Sequence, residues 1–240
     1  MKSLQILVIT LKQSLDRQAK ASTELSKVLF DWRFLNAVDG RKLNYPIPEY
    51  QAQKVKKLLG FKLTPNEIGC FLSHRSAWQS CIDQNLPTIV FEDDFVILPH
   101  FEQVINTLLS NPQDWELVRL QALLQSKDQS VRAYDQFNLV ANQGDPLGAT
   151  AYLLSPSAAS ELLAHATQIY EPLDHFLEHY QKHSIRMLAA KPYPVDISKV
   201  ESTIADRPSD RKPTKGWKKN LRSLNRQIDR VFSKEPWFPK

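Results

Sequence analysis

Three consecutive carboxylates, Glu92-Asp93-Asp94, follow directly on Thr88-Ile89-Val90-Phe91, a run suited to a buried strand. Adjacent like charges repel, and at a strand's mouth the strain is relieved by protonation, by water or by a bound cation. Oxygen-only ligands suit Mg2+ or Mn2+ rather than zinc. The carboxyl ends of strands in an open α/β sheet are also where ligands bind. An acidic surface turn is the competing reading of the same triplet.

A second constellation is His175-Phe176-Leu177-Glu178-His179, which spells H-x-x-E-H. On one continuous helix the two histidines share a face and Glu178 is available as a base, so a zinc-dependent hydrolase is a rival reading. That reading needs a third protein ligand, and only 61 residues follow His179. His183 extends the same spacing, as an ordinary polar helix face would. The 6 glycines form neither G-x-G-x-x-G nor G-x-x-x-x-G-K-[ST], so a glycine cradle for phosphate is excluded.

The elements that must hold these residues follow from periodicity and punctuation. Leu4 to Thr10 reads as a first core strand, since no small-residue cleavage site follows it, and Leu15 to Val28 reads as a helix. Phe30, Trp32 and Phe34 suggest a second strand leading into the Asp39-Gly40 turn. Residues 41–63 read as a loop with one short helix near Gln51 to Leu59. Thr64-Pro65-Asn66-Glu67 combines a capping box with proline at the first helical position, and starts a helix to about Asp83. Asn85-Leu86-Pro87 ends it and delivers the Thr88 strand. Further strands are predicted at Glu116–Leu120, Asn138–Ala141, Thr150–Leu154 and Arg186–Ala189. Helices are predicted at Pro99–Leu109, Pro156–Ala166 and Pro172–Lys182. Strands alternating with helices imply an α/β fold with a mostly parallel central sheet in one Rossmann-type domain, residues 1–197.

At 240 residues and 42% hydrophobic composition the chain can bury one substantial core, and no apolar run reaches the ~20 residues a membrane span needs. Cys70 and Cys81 lie on one predicted helix, about 16 Å apart along its axis, too far to bridge. Both read as small core residues in a reducing cytoplasm. Residues 206–240 hold 11 Lys and Arg against 4 Asp and Glu, a net charge of +7 in a chain of +5 overall. After a linker at residues 198–216, the spacing of Trp217, Leu221, Leu224, Ile228 and Val231 predicts a basic amphipathic helix over residues 217–240. An anionic membrane surface suits that tail, whereas a non-catalytic binding protein that grips nucleic acid with it is the other reading. No nucleic-acid module is visible in the body, so no nucleic-acid partner is expected.

The segments Asn66-Glu67-Ile68-Gly69-Cys70-Phe71-Leu72-Ser73-His74 and Pro87 through Asp94 together resemble glycosyltransferase family 25. That family includes bacterial lipopolysaccharide and lipooligosaccharide galactosyltransferases and glucosyltransferases. Asp16-Arg17, Asp39-Gly40, Gly148 through Ser155 and Pro172-Leu173-Asp174-His175 fall in the matching order, and the resemblance covers roughly residues 3–197.

The resemblance implies a GT-A-like fold and an inverting transfer from a nucleotide-sugar donor. UDP-galactose is the expected donor and a lipooligosaccharide the expected acceptor, with the enzyme cytoplasmic and peripheral on the inner membrane. It also implies that Glu92-Asp93-Asp94 stands in place of a DxD-type motif. Asp94 is then the direct Mn2+ (or Mg2+) ligand with Glu92 beside it, Glu92 and Asp93 approach the donor's ribose or sugar, and strand alternation would turn Glu92 and Asp94 to one face and Asp93 to the other. Asp174 is the first candidate for the base that deprotonates the acceptor hydroxyl, with Asp145 second. Asp174 reads equally as an acceptor contact or a cap. Arg17 either binds the diphosphate or makes a surface ion pair. Asp39 either touches the uridine or closes its own turn. Glu67 is a capping partner before it is a site residue, and His74 reads as a packed or a catalytic histidine.

Overall fold

The first strand, β1 (Gln5–Thr10), buries side chains on both faces, as its unbroken apolar run requires. The computed structural model describes residues 4–198. In chain order, β1 is followed by α1 (Leu15–Leu25), β2 (Trp32–Asn36), α2 (Ala52–Leu59), α3 (Pro65–Gln84), β3 (Thr88–Glu92) and β4 (Phe95–Ile97). Then come α4 (Phe101–Ser110), β5 (Leu117–Arg119), β6 (Asp128–Ala133), β7 (Asn138–Asn142), β8 (Ala151–Leu154) and α5 (Pro156–His165). The last described elements are α6 (Leu173–Glu178), α7 (Tyr180–His183), β9 (Met187–Lys191) and β10 (Val195–Ile197). The predicted linker beyond Ser198 and the basic tail at 217–240 lie outside the described residues.

Eight strands form one sheet in the order β2-β1-β3-β8-β5-β9-β7-β6. Six of them point the same way, and β7 and β8 run against the rest, so the sheet is mostly parallel in direction. Period-two alternation sorts the core into two layers. Ile6, Val8, Ile89, Phe91 and Val118 meet α1 and α4 on one face, whereas Leu7, Ile9, Val90, Leu117 and Tyr152 meet α2, α3, α5 and α6 on the other.

α3 begins as its sequence demands. Thr64 accepts from the Glu67 amide, the Glu67 carboxylate accepts from the Thr64 amide, and Pro65 needs no amide partner. It ends at Asn85 in the left-handed region, φ 50°.

Four expectations are corrected. The helix foreseen at Pro172–Lys182 is two short pieces broken at His179, φ −89° and ψ 69°. β3 stops at Glu92, and Asp93-Asp94 form a turn, so strand alternation does not govern the triplet. β4, β6 and β10 were not foreseen; β4 pairs with β10 across about a hundred residues, and β6 is a largely exposed edge strand. Finally, Cys81 is buried core, but Cys70 is only half-buried and turns to Glu92.

Candidate active site

The site collects at the carboxyl end of the sheet's interior strands, where β1, β3 and β5 end and antiparallel β8 begins. Parallel register sets Thr10 level with Asn36, and Ile9 level with Glu92. Each carboxylate of the triplet meets a different environment.

Glu92 follows Val90 onto the face covered by α3, because two residues along a strand return to the same side. There it meets Cys70 Sγ at 3.5 Å, His74 Nε2 at 3.5 Å and, from β8's approach, Thr150 Oγ1 at 3.4 Å. Burial works against its ionisation, but His74, Cys70 and Thr150 together hold the Glu92 carboxyl below its ordinary value. Behind it, the fully buried His74 ring sets Nδ1 2.7 Å from the Tyr152 hydroxyl, and Trp78 Nε1 donates to that hydroxyl at 2.9 Å. Trp78 takes one acceptor position of the Tyr152 oxygen, and the His74 tautomer decides whether Tyr152 donates to Nδ1 or accepts from it. Nε2 is buried and makes no hydrogen bond among the described residues.

Asp93 turns to the opposite layer, where Thr10 continues the Ile6-Val8 face of β1 toward α1. It accepts from Thr10 Oγ1 at 2.6 Å and from Arg17 Nη1 at 2.7 Å. Asp94 is left between. Among the described residues its Oδ1 is buried without a hydrogen-bond partner. Burial, then the charges of Glu92 and Asp93, push its carboxyl up to about 7 against the opposing pull of Arg17. A carboxyl whose charge is disfavoured by burial and by two neighbouring carboxylates is one that a hard cation would relieve, and the oxygen donors here suit Mg2+ or Mn2+.

Asp39 is placed by two glycines. A Cβ on Gly40 would lie 1.7 Å from Pro65 O, and one on Gly69 would lie 2.4 Å from Val38 O, so only hydrogen at both positions lets the loop press on α3. Ser73 Oγ accepts the Val38 amide at 2.8 Å and fixes the approach. Asp39 then bonds Arg41 and receives Gln13 Nε2 at 3.3 Å; the Arg41 side chain leads in holding its carboxyl below the usual range. Glu67 serves the helix cap and is buried.

Asp174 is not a helix cap: Pro172 holds that position, and Asp174 Oδ1 accepts only the adjoining His175 amide in the first turn of α6, at 3.0 Å. Its charge is felt at Cys70, Arg119 and Glu178, and that of the exposed Asp145 at Arg119 and Glu178. Both acids therefore belong to the β5–α6 side of the site rather than to the acidic turn.

Sequence reasoning missed the residue that organises that side. Arg119, on the α6-facing side of β5, is buried, donates to the carbonyls of Leu147 and Gly148 and pairs with Glu178. Glu178 in turn accepts the Leu147 amide at 3.0 Å. Leu147 and Gly148 both have positive φ, 55° and 90°, so the ion pair clamps a strained turn leading to Thr150. The signal was an arginine inside an apolar strand, Leu117-Val118-Arg119-Leu120. Thr10, Cys70, Trp78, Thr150 and Tyr152 were likewise not foreseen as site residues.

The H-x-x-E-H reading fails here. Glu178 is spent on Arg119, and His179 sits beyond the helix break, 2.9 Å from Glu171 and in contact with Lys182. Among the described residues, the grouping with metal-ligand spacing is Cys70, His74 and Glu92.

The sequence model of glycosyltransferase family 25, an LPS biosynthesis protein family, matches residues 3–177. Human procollagen galactosyltransferase 2 is 28% identical over 232 residues, covering 84% of this chain and 37% of that protein. Mouse inactive glycosyltransferase 25 family member 3 is 30% identical over 189 residues, covering 72% of this chain and 31% of that protein. The chain thus spans about a third of the length of these curated relatives. Among solved structures, mannose-1-phosphate geranyltransferase from Thermus thermophilus aligns at 10% identity and a TM-score of 0.44, over 82% of this chain and 76% of that one. The family match extends through the acidic turn, the capped helix and Arg119: the chain belongs to glycosyltransferase family 25.

Proposed function

We propose that the chain is an inverting glycosyltransferase that moves galactose from UDP-galactose to a lipooligosaccharide acceptor with the help of Mn2+ or Mg2+. The observation that carries this reading is the buried Asp94 Oδ1, without a hydrogen-bond partner among the described residues, in an acidic turn at a strand end. The galactosyltransferase relatives support the choice of sugar.

Asp94 would hold the ion, with Glu92 as the neighbouring carboxylate. A divalent ion there supplies charge neutralisation for the departing diphosphate. Arg17, already at the site through Asp93, is positioned to pair with phosphate oxygens, to which a guanidinium fork is well matched. Asp39, in the loop that follows β2 and presses on α3, would contact the nucleoside. Asp174 takes the proton from the attacking acceptor hydroxyl on the opposite side of the sugar, with Asp145 the alternative.

UDP release from a panel of UDP-sugars, with and without Mn2+ and with terminal-galactose and terminal-glucose acceptors, tests the reading. UDP-galactose should give acceptor-dependent release, and Asp94→Ala should abolish the metal-stimulated part. Asp174→Asn should lower kcat by about 10^2–10^4 while UDP still binds. Absence of release from every donor, or equal release by Asp94→Ala, would reject it.

The tail enters as a second element of the proposal. Among the described residues, no helix is long and apolar enough to cross a membrane. Deleting residues 214–240 should weaken binding to anionic vesicles while sparing turnover of a soluble acceptor. Unchanged vesicle binding would remove the membrane role.

A further inference from the structure

The acidic turn and α3 together present a second set of ligand atoms, of which Glu92 alone has a part in the transfer reaction proposed above. We propose that Cys70, His74 and Glu92 form a site for a soft divalent cation of the Zn2+ class, and that filling it withdraws Glu92 from the donor site and inhibits transfer. The inhibitory half rests on the reading under Proposed function; the binding half does not.

Cys70 and His74 stand four residues apart on α3, so both project from one face of the helix. Glu92 is turned to that face by the alternation of β3. Sulfur, nitrogen and oxygen ligand atoms from the three lie within 4.8 Å of one another, with Glu92 Oε1 3.5 Å from both Cys70 Sγ and His74 Nε2. Bonds of 2.0–2.3 Å at tetrahedral angles set ligand atoms about 3.3–3.8 Å apart, so two edges of the triangle already have the required length.

His74 Nε2 is the independent sign. The ring is wholly buried, and among the described residues this nitrogen makes no hydrogen bond, standing 3.5 Å from Glu92 Oε1. The other nitrogen is held by Tyr152, whose hydroxyl is fixed by Trp78. Such outer partners are what orient a metal-binding histidine, and a hydroxyl can accept from Nδ1–H as readily as it donates to Nδ1. The thiol releases its proton to solvent as it binds.

The donor set separates this site from Asp94. Thiolate and imidazole favour Zn2+, whereas the oxygens of Asp94 and its neighbours suit Mn2+ or Mg2+. Three protein ligands leave a fourth position for water. A zinc ion here therefore does not substitute for the hard cation; it competes for Glu92.

Co2+, a spectroscopic stand-in for Zn2+, tests the binding half on the full metal-free chain. One equivalent should produce a thiolate-to-cobalt charge-transfer band that Zn2+ bleaches. Cys70→Ser should abolish the band, Cys81→Ser should keep it, and His74→Gln should weaken cobalt affinity at least about 10-fold. No band, or a band that survives Cys70→Ser, overturns the site. Independently of any variant, Zn2+ should slow maleimide labelling of Cys70 at least 10-fold (about the same factor) in the unaltered protein; equal labelling rates overturn it too. For the inhibitory half, Zn2+ should suppress UDP release at saturating Mn2+. Zinc that gives the cobalt-competing signal yet leaves release unchanged overturns the inhibitory claim, and a chain that releases no UDP from any donor with no zinc present fails the functional reading instead.

Discussion

Arg17 Nη1 stands 2.7 Å from Asp93 Oδ1, joining the first turn of α1 to the acidic turn 76 residues later. Both side chains are largely buried, and Thr10 holds the second Asp93 oxygen at 2.6 Å. A charge-assisted bond in such surroundings contributes more than a surface pair. Asp93→Asn should therefore lower stability by about 1–3 kcal/mol, read as a lower urea midpoint with unchanged slope. An unchanged midpoint would show that the pair does not tie α1 to the turn.

The Asp39 loop depends on two hydrogens. Gly40→Ala would drive a Cβ to 1.7 Å from the Pro65 carbonyl oxygen, a backbone atom that cannot step aside. It should cost at least about 2 kcal/mol and lower Tm by about 5 °C. Gly144→Ala, where nothing lies within 4 Å, is the control and should melt as the unaltered chain does. Equal melting of Gly40→Ala would contradict the packing described.

Arg119 and Glu178 form a buried pair, so removing one partner strands the other's charge. Arg119→Met and Glu178→Leu should each cost about 3–5 kcal/mol, whereas the double variant should lose less than the sum. Additive losses in a double-mutant cycle would mean that the two do not act as a unit. The carbonyls of Leu147 and Gly148 lose their donor in the Arg119 variant, so it should be the more damaging of the two.

His183 supplies a pH test. Its Nε2–H donates to the Phe176 carbonyl at 3.1 Å, and Nδ1 accepts the Ile185 amide at 3.1 Å, so a second proton would face a donor. Burial leads in holding its pKa down at about 4, below the ordinary value of 6.5. Above pH 6.5 both folded and unfolded forms are neutral, and the contribution is fully present. As pH falls from 6.5 to 4 only the unfolded chain takes up the proton, so stability is lost across that window, by about 3 kcal/mol at the limit. Urea titrations from pH 7 to 4 should show a steeper fall for the unaltered chain than for His183→Gln. Parallel curves would contradict the assignment.

What the sequence disclosed was local. Thr64 and Glu67 announce their cap within four residues, Asp39-Gly40 announces its turn, and the apolar run into Glu92 announces a strand end. What it concealed was set by partners far along the chain. Arg119 meets Glu178 across 59 residues, and Phe95–Ile97 find Val195–Ile197 only when the chain returns. β6 escaped notice because most of its side chains are exposed, leaving no alternation to read. The break at His179 carries no proline or glycine; it follows from Glu178 turning to Arg119 and His179 to Glu171. Glu92, Asp93 and Asp94 were legible as a group, but their division among α3, α1 and neither was not.

The central claim is that Asp94 holds a hard cation that presents a nucleotide diphosphate. Calorimetric titration of UDP into the full chain, with and without Mn2+, repeated on Asp94→Asn, tests it without needing an acceptor. Replacing one of three mutually repelling carboxylates should leave the fold intact, checked by a Tm no lower than that of the unaltered chain. The account predicts UDP binding strengthened at least about 10-fold by Mn2+, with that gain lost in Asp94→Asn. UDP binding indifferent to Mn2+, or a gain that survives the substitution, would contradict it.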